Sequence, residues 1–527
     1  MLATHPLIVS AEAWNAAREE MFAKEKAHMR AGDALAAERR RMPWLAVEKA
    51  YEFEAPKGKV SLLDLFGGRR QLIIYRALFE PGVFGWPDHA CRGCSLDADQ
   101  VSNLAHLNAR DTTLAYVSRA PQADIARLKT LMGWDMIPWF TTTDSFDSDF
   151  GVAEYHGHNV FIRDGERVFR TYFTNWRGDE AMGTVWSYLD ITPLGRQETW
   201  EDSPEGYPQT PPYKWWNWHD NYAEATPDPK WVEVSMPERL AFREMRQLAL
   251  GEPVRAGTLK RGAAIRGELT MATSKSTPPR VVSREEWLAA RRAFFLKEKA
   301  MTHELDTLRA ERRQLPWVKV EKPYVFEGPD GKSTLADLFQ GRSQLAVYHF
   351  MLTPGSDHVC KGCSFVADHI DSARQHFGDA DLSFAAISRA PLERIEQVKR
   401  ALGGTFPWVS SYRSDFNFDF GVSFKKADIS AGRATFNYGT PIKSSEDMMG
   451  TSIFVRNESG EIFHTYSTFA RGIENLMGAF MWLDLTPKGR HQFDDGHSRL
   501  SEDGLRDSRR YDRNAGPAIP VGSSDQP

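Results

Sequence analysis

The sequence of 527 residues has few cysteines, no strong excess of either charge and no long apolar run. Lys and Arg total 66 against 71 for Asp and Glu, so the net charge of -5 gives no reason to expect nucleic acid or an anionic membrane as a partner. No apolar run approaches the roughly 18–20 residues that span a bilayer. Residues 1–10 lack the basic and apolar regions of a secretory signal. We therefore expect a soluble, cytoplasmic protein.

Nucleotide-binding signatures are also missing. No Gly-x-Gly-x-x-Gly follows a predicted strand, and no Walker A lysine is present, so we expect no cofactor. The four cysteines are too few for a disulfide-stapled secreted scaffold. They form two Cys-x-Gly-Cys pairs, Cys91 with Cys94 and Cys360 with Cys363, and none is left over.

The surroundings of the two pairs repeat at an offset of roughly 270 residues, a period that indicates duplicated domains rather than a solenoid. The order of the motifs is kept, which excludes chance similarity. The repeated motifs are Pro43-Trp44 and Pro316-Trp317, Asp64-Leu65-Phe66 and Asp337-Leu338-Phe339, Ser118-Arg119-Ala120-Pro121 and Ser388-Arg389-Ala390-Pro391, and Asp149-Phe150-Gly151-Val152 and Asp419-Phe420-Gly421-Val422. We predict a first domain over 1–222, a linker over 223–280, a second domain over 281–493 and a disordered tail over 494–527.

Each half follows one pattern of predicted elements. A charged helix over 11–40 or 284–313 comes first, and Ser283 with Glu286 has the spacing of a capping box. An apolar strand follows over 71–79 or 344–352. A loop then carries the cysteines into a helix, and further strands and helices end in a hairpin. This alternation predicts an α/β fold in each half, with a mixed central sheet flanked by helices.

A cysteine at a strand-to-helix junction lies where backbone N–H groups and the helix dipole favour a thiolate, the reactive form. We therefore predict Cys91 and Cys360 as attacking thiols, and Cys94 and Cys363, one helical turn later, as resolving thiols. Both pairs lie in the motif Asp-His-x-Cys-x-Gly-Cys-Ser. Its histidines, His89 and His358, are candidates for moving a proton or for favouring the thiolate when charged.

Other interpretations of the cysteines stay open. The two pairs together could supply four thiolates to one zinc ion, although each pair belongs to a different half. The cysteines could also be unreactive core residues, because free cysteine packs as a small hydrophobe. Either case describes a non-catalytic adaptor that holds a partner.

The combined motifs resemble a bacterial family of unknown function, number 899, in the thioredoxin-like superfamily. The resemblance rests on segments such as Leu315-Pro316-Trp317-Val318, Cys360-Lys361-Gly362-Cys363-Ser364, Phe406-Pro407-Trp408-Val409 and His464-Thr465-Tyr466-Ser467. It covers nearly all of the second half and most of the first. The first half diverges more, because Arg76 replaces His349 and Arg170-Thr171-Tyr172-Phe173 replaces His464-Thr465-Tyr466-Ser467.

This resemblance implies two tandem thioredoxin-like domains and a dithiol-disulfide oxidoreductase. Its implied partners are a protein or small-molecule disulfide as substrate and a cellular thiol as reductant. Residues 386–422 also resemble peroxiredoxins, which makes a thiol peroxidase the nearest alternative. However, Asp88 and Asp357 stand where peroxiredoxins place a threonine. Because the second half keeps the motifs better, we expect Cys360 to be more active than Cys91.

Overall fold

Helices and short buried strands alternate along both halves of the computed structural model, which describes residues 6–84, 86–87, 90–153, 155–212, 219 and 279–490. Its helices are α1 (Ala11–Arg39), α2 (Arg92–Asp99), α3 (Ala105–Asn108), α4 (Gln122–Met132), α5 (Phe146–Asp149), α6 (Thr184–Leu189), α7 (Arg284–Arg313), α8 (Lys361–Ala367), α9 (Ile370–Ala373), α10 (Leu392–Leu402), α11 (Phe416–Asp419), α12 (Lys426–Ser430) and α13 (Gly478–Asp484). None of these helices is long and apolar enough to cross a membrane.

The strands of the first half are β1 (Trp44–Val47), β2 (Glu52–Ala55), β3 (Gly58–Ser61), β4 (Gln71–Arg76), β5 (Thr112–Ser118), β6 (Trp139–Thr142), β7 (Gly157–Asp164) and β8 (Arg167–Thr174). Those of the second half are β9 (Val281–Val282), β10 (Val318–Lys319), β11 (Val325–Gly328), β12 (Gly331–Thr334), β13 (Gln344–His349), β14 (Leu382–Ser388), β15 (Trp408–Ser410), β16 (Thr435–Phe436), β17 (Thr440–Pro441), β18 (Gly450–Arg456) and β19 (Ile462–Phe469).

Each half contributes one mixed sheet. The first has the strand order β3-β2-β6-β5-β4-β7-β8-β1-β9, and the second has the order β10-β19-β18-β13-β14-β15-β11-β12. In both, the strand before the cysteines is parallel to the next strand in sequence and antiparallel to the late hairpin. Both faces of these central strands are buried, as their continuous apolar sequences require. The predicted α/β fold, with a mixed central sheet and flanking helices in each half, is confirmed.

The strand before each cysteine pair ends earlier than the sequence predicts. β4 ends at Arg76 and β13 at His349, three residues before the predicted ends. The chain turns there, and backbone N–H groups just after the turn donate hydrogen bonds to the sulfurs of the buried cysteines. The N–H of Leu78 donates to Cys94 Sγ (3.3 Å), and that of Met351 donates to Cys363 Sγ (3.4 Å). The apolar character of these residues suits a buried turn as well as a strand, so the pattern alone does not mark the end.

The N-terminal helix of each half packs against the sheet of the other half. Arg18 of α1 donates through Nε to the carbonyl of Ser467 in β19 (3.0 Å). Arg291, the corresponding residue of α7, donates to the carbonyl of Phe173 in β8 (2.7 Å). The exchange continues into the strands, because β9 pairs with β1 and Ile8 forms a bridge with Trp317. The two halves therefore exchange their N-terminal helices, so that each helix packs on the sheet of the other half.

The exchanged helices run antiparallel along each other. Lys24 of α1 pairs with Glu311 of α7 (2.9 Å), and Lys297 of α7 pairs with Glu38 of α1 in the equivalent contact. At the helix start, Ser283 and Glu286 form the predicted capping box, which is confirmed.

The exchange explains where the first half departs from the family motifs. Trp14 of α1 packs on His464 of the second sheet, with ring centroids 4.4 Å apart. Trp287 of α7 occupies the equivalent place on the first sheet, where the Arg170 guanidinium lies 4.5 Å from its ring. The replacement of His464 by Arg170 thus changes the sheet surface against which the tryptophan of an exchanged helix packs.

The faces of the sheets that carry the cysteine helices share one apolar core across the two halves, and this core includes Cys94, Cys360 and Cys363. The domain boundaries stay a prediction, because the proposed linker and the tail after residue 490 lie almost wholly outside the described residues.

Candidate active site

Each cysteine pair lies at the start of a helix that follows a buried strand. Cys91 caps α2, and the backbone N–H of Cys94 donates to its sulfur (3.3 Å). In the second half the N–H of Cys363 donates in the same way to Cys360 Sγ (3.3 Å) at the start of α8. All four are free thiols. The structure therefore brings together the two members of each predicted pair, in the same local geometry.

The two thiols of the first pair differ in exposure and acidity. Cys91 is partly exposed, whereas Cys94 is 1% exposed. A hydrogen bond from the Cys94 thiol, helped by backbone N–H groups, lowers the pKa of Cys91 against the effect of burial. Burial and the neighbouring Cys91 sulfur raise the pKa of Cys94 well above its usual range. This arrangement favours a thiolate on Cys91 and a protonated Cys94.

The second pair lies deeper. Cys360 is 9% exposed and Cys363 is fully buried. Burial and the Cys360 sulfur raise the pKa of Cys363 well above its usual range. The second pair is thus less accessible than the first, although its sequence motifs are better kept.

The histidines of the motif are placed unequally. His89 and the preceding Asp88 lie outside the described residues. His358 is exposed, and its backbone N–H donates to the Ser356 hydroxyl (3.2 Å). Their roles beside the thiols stay predictions.

A row of side chains crosses the first sheet on the face that carries α2. In the strand register, His158 pairs with Tyr75, Tyr75 with Tyr116, and Tyr116 with Trp139. The His158 and Tyr75 rings stack with centroids 4.4 Å apart. All four residues are buried, and Tyr75 interacts electrostatically with Cys94. The row in the second sheet is Thr451, Tyr348, Ala386 and Trp408, so the histidine and one tyrosine are replaced.

A cluster of acids and histidines adjoins the first cysteine pair. The Asp179 carboxylate lies 3.0 Å from Nδ1 of His156 and 2.8 Å from Nδ1 of His158. His156 keeps 21% of its side chain exposed and packs edge-on against Trp176, with ring centroids 5.3 Å apart. Asp97, one turn after Cys94 on α2, interacts electrostatically with Asp179 and both histidines. The cluster therefore reaches from the buried sheet to the surface beside the thiols.

The environment shifts the protonation of this cluster. Burial raises the pKa of Asp97 to about 6, and the nearby Asp179 charge adds to the effect. Burial opposes charge on His156, but the Asp179 carboxylate outweighs burial and raises the His156 pKa to about 9. Burial also disfavours the Asp179 carboxylate, but the two histidines outweigh it and lower the pKa of Asp179. At neutral pH the cluster contains a protonated His156 and an ionised but weakly basic Asp97.

The second half has no titratable side chain at the three corresponding positions. Val366 follows Cys363 by three residues, as Asp97 follows Cys94. Met449 precedes the Gly450 of β18, as His156 precedes the Gly157 of β7. Ile473 follows Gly472, which packs on Thr468; likewise, Asp179 follows Gly178, which packs on Thr174. The two cysteine pairs thus share a backbone geometry but differ in electrostatic surroundings.

Sequence reasoning missed Asp97, His156 and Asp179 as members of the site. They come from three separate segments, and none belongs to a motif shared by the halves. The available signal was the difference between the halves, because each residue replaces an apolar one in an otherwise repeated context.

Two reciprocal contacts between a carboxylate and a histidine connect the far ends of the cysteine helices. Asp99, the last residue of α2, lies 3.3 Å from Nε2 of His376 in the second half. Asp368, which follows α8, lies 3.0 Å from Nε2 of His106 in the first half. Each cysteine helix is thus held at its C-terminal end by a histidine of the other half.

The four cysteines do not form one site. Within the described ranges, no group of three or more His, Cys, Asp or Glu side chains is arranged to hold a metal ion. The arrangement with one zinc ion bound by both pairs therefore has no geometric support.

The fold and the site define a protein of two α/β domains, each with a cysteine pair at the start of a helix. The chain belongs to the family described as bacterial protein of unknown function (DUF899), whose model matches residues 3–222 and again residues 276–511. The sequence matches no curated protein. Among solved structures, the crystal structure of peroxidoxin BcpB from Mycobacterium tuberculosis is similar at 15% identity and a TM-score of 0.20, over 30% of this chain and 92% of that one.

Proposed function

We propose that this protein is a thiol-disulfide oxidoreductase in which Cys91 attacks a disulfide and Cys94 resolves the product. The carrying observation is the arrangement of the first pair: Cys91, a partly exposed thiol with a lowered pKa, accepts hydrogen bonds from the thiol and the backbone N–H of the buried Cys94 one turn away. An accessible thiolate is the form that attacks a disulfide, and a neighbouring thiol is what releases the enzyme from the mixed disulfide.

The reaction balances as an exchange of two electrons. The Cys91 thiolate attacks one sulfur of the substrate disulfide, and the other sulfur leaves as a thiolate that takes up a proton. Cys94 then loses its proton and attacks Cys91 Sγ, which breaks the mixed disulfide and releases the second substrate thiol. The substrate disulfide is reduced to two thiols while Cys91 and Cys94 are oxidised to a disulfide. A cellular thiol reductant in the cytoplasm would restore the dithiol.

The first pair carries the proposal in preference to the second. Cys91 is the more exposed of the two attacking cysteines, and the charge of His156 acts on its partner Cys94. This reverses the expectation from motif retention, which favoured Cys360. Motif retention reports how closely the second half follows the family, whereas reactivity depends on access and charge.

The test uses the full chain with Cys360→Ser and Cys363→Ser, which leaves only the first pair. We expect this protein to reduce hydroxyethyl disulfide with glutathione as reductant. Adding Cys91→Ser should abolish turnover, and adding Cys94→Ser should trap a mixed disulfide on Cys91, detectable by mass spectrometry. Unchanged turnover in the Cys91→Ser protein would sink the proposal. Rapid consumption of hydroperoxide without disulfide reduction would instead indicate a thiol peroxidase.

A further inference from the structure

We propose that Asp97 is the proton acceptor for Cys94 during closure of the internal disulfide, and that His156, held by Asp179, favours the Cys94 thiolate. The first cysteine pair would then resolve its mixed disulfide faster than the second at neutral pH. This inference rests on the proposed function and names the residues that would control its second step.

Helix geometry places Asp97 beside Cys94. The two residues are three apart on α2, and residues at this spacing are neighbours on one face of a helix. Cys94 is buried, whereas Asp97 is partly exposed, so the carboxyl group can return a proton to solvent. Asp97 also interacts electrostatically with Cys91.

Besides Cys91, the titratable groups that interact with Asp97 come from several elements packed on this part of the site. They are Tyr75 of β4, Tyr116 of β5, His156 before β7, His158 in β7, and Asp179 after β8. The two tyrosines have pKa values raised well above their usual range by burial, so they stay neutral and do not compete as bases. The carboxylates are therefore the bases of this cluster, and Asp179 is engaged by two histidines.

The charges around Cys94 suit a proton transfer in this direction. A carboxylate with its ordinary pKa is a poor acceptor for a thiol proton, but burial has made Asp97 more basic while leaving it ionised at neutral pH. His156 carries a positive charge that favours the Cys94 thiolate. Asp179 holds His156 in place and supports that charge. His156 and Asp179 thus act through other groups as positioning residues.

The resolving step balances with this assignment. The proton of the Cys94 thiol moves to Asp97, and the Cys94 thiolate attacks Cys91 Sγ. The mixed disulfide breaks, and the departing substrate thiolate takes up a proton from solvent or from Asp97. No other oxidant is needed, because the substrate disulfide has already supplied the oxidising equivalents.

The second pair is a natural control inside the same chain. Val366, Met449 and Ile473 occupy the three positions and cannot accept a proton. The thiol of Cys363 is also buried, and Tyr348 is the polar side chain that interacts with it. Its closure therefore depends on direct loss of the thiol proton to solvent, which becomes favourable only at higher pH.

The experiment uses two full-length proteins, one with Cys360→Ser and Cys363→Ser and one with Cys91→Ser and Cys94→Ser. Each reduced protein is mixed with 5,5'-dithiobis(2-nitrobenzoate) in a stopped-flow instrument across a range of pH. Attack releases one coloured thiolate, and closure releases a second in a later phase. We expect the closure rate of the first pair to rise as the pH passes about 6 and then to level off. The second pair should close with a rate that keeps rising at higher pH.

Replacing the acceptor supplies the decisive comparison. In the first-pair protein, Asp97→Asn should slow closure about a hundredfold at neutral pH. It should also remove the rise in closure rate near pH 6, while the attack phase keeps its amplitude. Asp97→Glu should restore most of the rate. His156→Met, which installs the second half's residue, should slow closure less. It should keep the rise in closure rate but move it to higher pH, because the His156 charge lowers the pKa of Asp97. The same substitutions in the second-pair protein should change neither phase, because Asp97 and His156 lie beside the first pair.

The outcomes separate this inference from the proposed function. Release of only one thiolate per pair in both proteins overturns the oxidoreductase itself. Release of two thiolates with the same pH profile in Asp97→Asn as in its parent overturns the assignment of Asp97 and leaves the oxidoreductase standing.

Discussion

Asp306 of α7 accepts two hydrogen bonds from the Arg177 guanidinium, at 2.7 and 2.8 Å, and so fastens a helix of the second half to the first sheet. The equivalent residues make the reciprocal contact: Asp33 of α1 accepts two hydrogen bonds from Arg471, at 3.0 and 2.9 Å. The duplicated chain therefore uses one set of contacts twice, with the helices exchanged. Several consequences of this exchange, and of the two unlike cysteine sites, are open to measurement.

The exchanged tryptophans should control the stability of the opposite domain. Trp287 is 1% exposed in the core of the first sheet, although it belongs to the second half of the sequence. Trp287→Ala should lower the free energy of unfolding by about 3–5 kcal/mol, as for other buried tryptophans. Hydrogen exchange followed by mass spectrometry should show faster exchange in β1 and β8 of the first sheet, which Trp287 covers, and little change in β10 and β19. Trp14→Ala is the matched control and should affect β10 and β19 instead. Faster exchange in β10 and β19 of Trp287→Ala would contradict the exchange of helices.

The capping box should make one exchanged helix start more dependent on its serine than the other. Ser283 accepts from the N–H of Glu286, and the Glu286 carboxylate accepts from the N–H of Ser283. Ser10 makes only the first kind of contact, with Ala13 (3.3 Å). Ser283→Ala should cost about 1 kcal/mol in a urea unfolding experiment, and Ser10→Ala should cost less. Equal losses would mean that the bond from the residue 283 N–H to Glu286, which survives the substitution, does not depend on the serine hydroxyl.

The two thiols of the first pair should differ in reactivity with iodoacetamide. Because the Cys94 thiol donates to Cys91 and lowers its pKa, Cys91 should react about tenfold faster than Cys94 at neutral pH. Cys94→Ala removes this donor, so the rate for Cys91 should fall and its rise with pH should move to higher pH. The check is the labelling rate of each cysteine from peptide mass spectra between pH 6 and 9. A Cys91 profile unchanged by Cys94→Ala would contradict the hydrogen bond.

Stability should decline at alkaline pH because of His156. Its folded-state pKa of about 9 exceeds the ordinary value of 6.5, so protonated His156 stabilises the folded state. That contribution is fully present below about pH 6.5 and is lost as the pH rises through about 9. We expect a loss on the order of 1 kcal/mol or more over this range, measured by urea unfolding. In His156→Met the loss should be smaller. Parallel curves for the two proteins would exclude this role.

Local sequence signals were sufficient for the repeated core. The β-branched run at residues 71–76, the cysteine motif that follows it and the capping box at Ser283 each depend on neighbours in the chain, so the sheet and the cysteine helices could be predicted. The exchange of α1 and α7 could not be predicted, because the apolar face of either helix fits both of the homologous sheets. Which sheet it meets depends on the connection between the halves.

The polar cluster was hidden for a related reason. Asp97, His156 and Asp179 become a site only when a helix, a turn and the end of a hairpin meet in three dimensions. Each residue taken alone is an ordinary surface or core residue. A comparison of the halves with each other identifies the positions, but only the folded geometry shows that they surround one thiol.

The exchanged helices set an order for synthesis on the ribosome. Domains generally fold from the N-terminus as the chain emerges, yet the first sheet here lacks β9 and the Trp287 side chain until residues 281–313 have been made. Until then α1 has no second sheet to cover, and the first sheet exposes the apolar surface that α7 will cover. The first half should therefore complete its folding only after the start of the second half has been synthesised. The two cysteine pairs should then reach their final surroundings together.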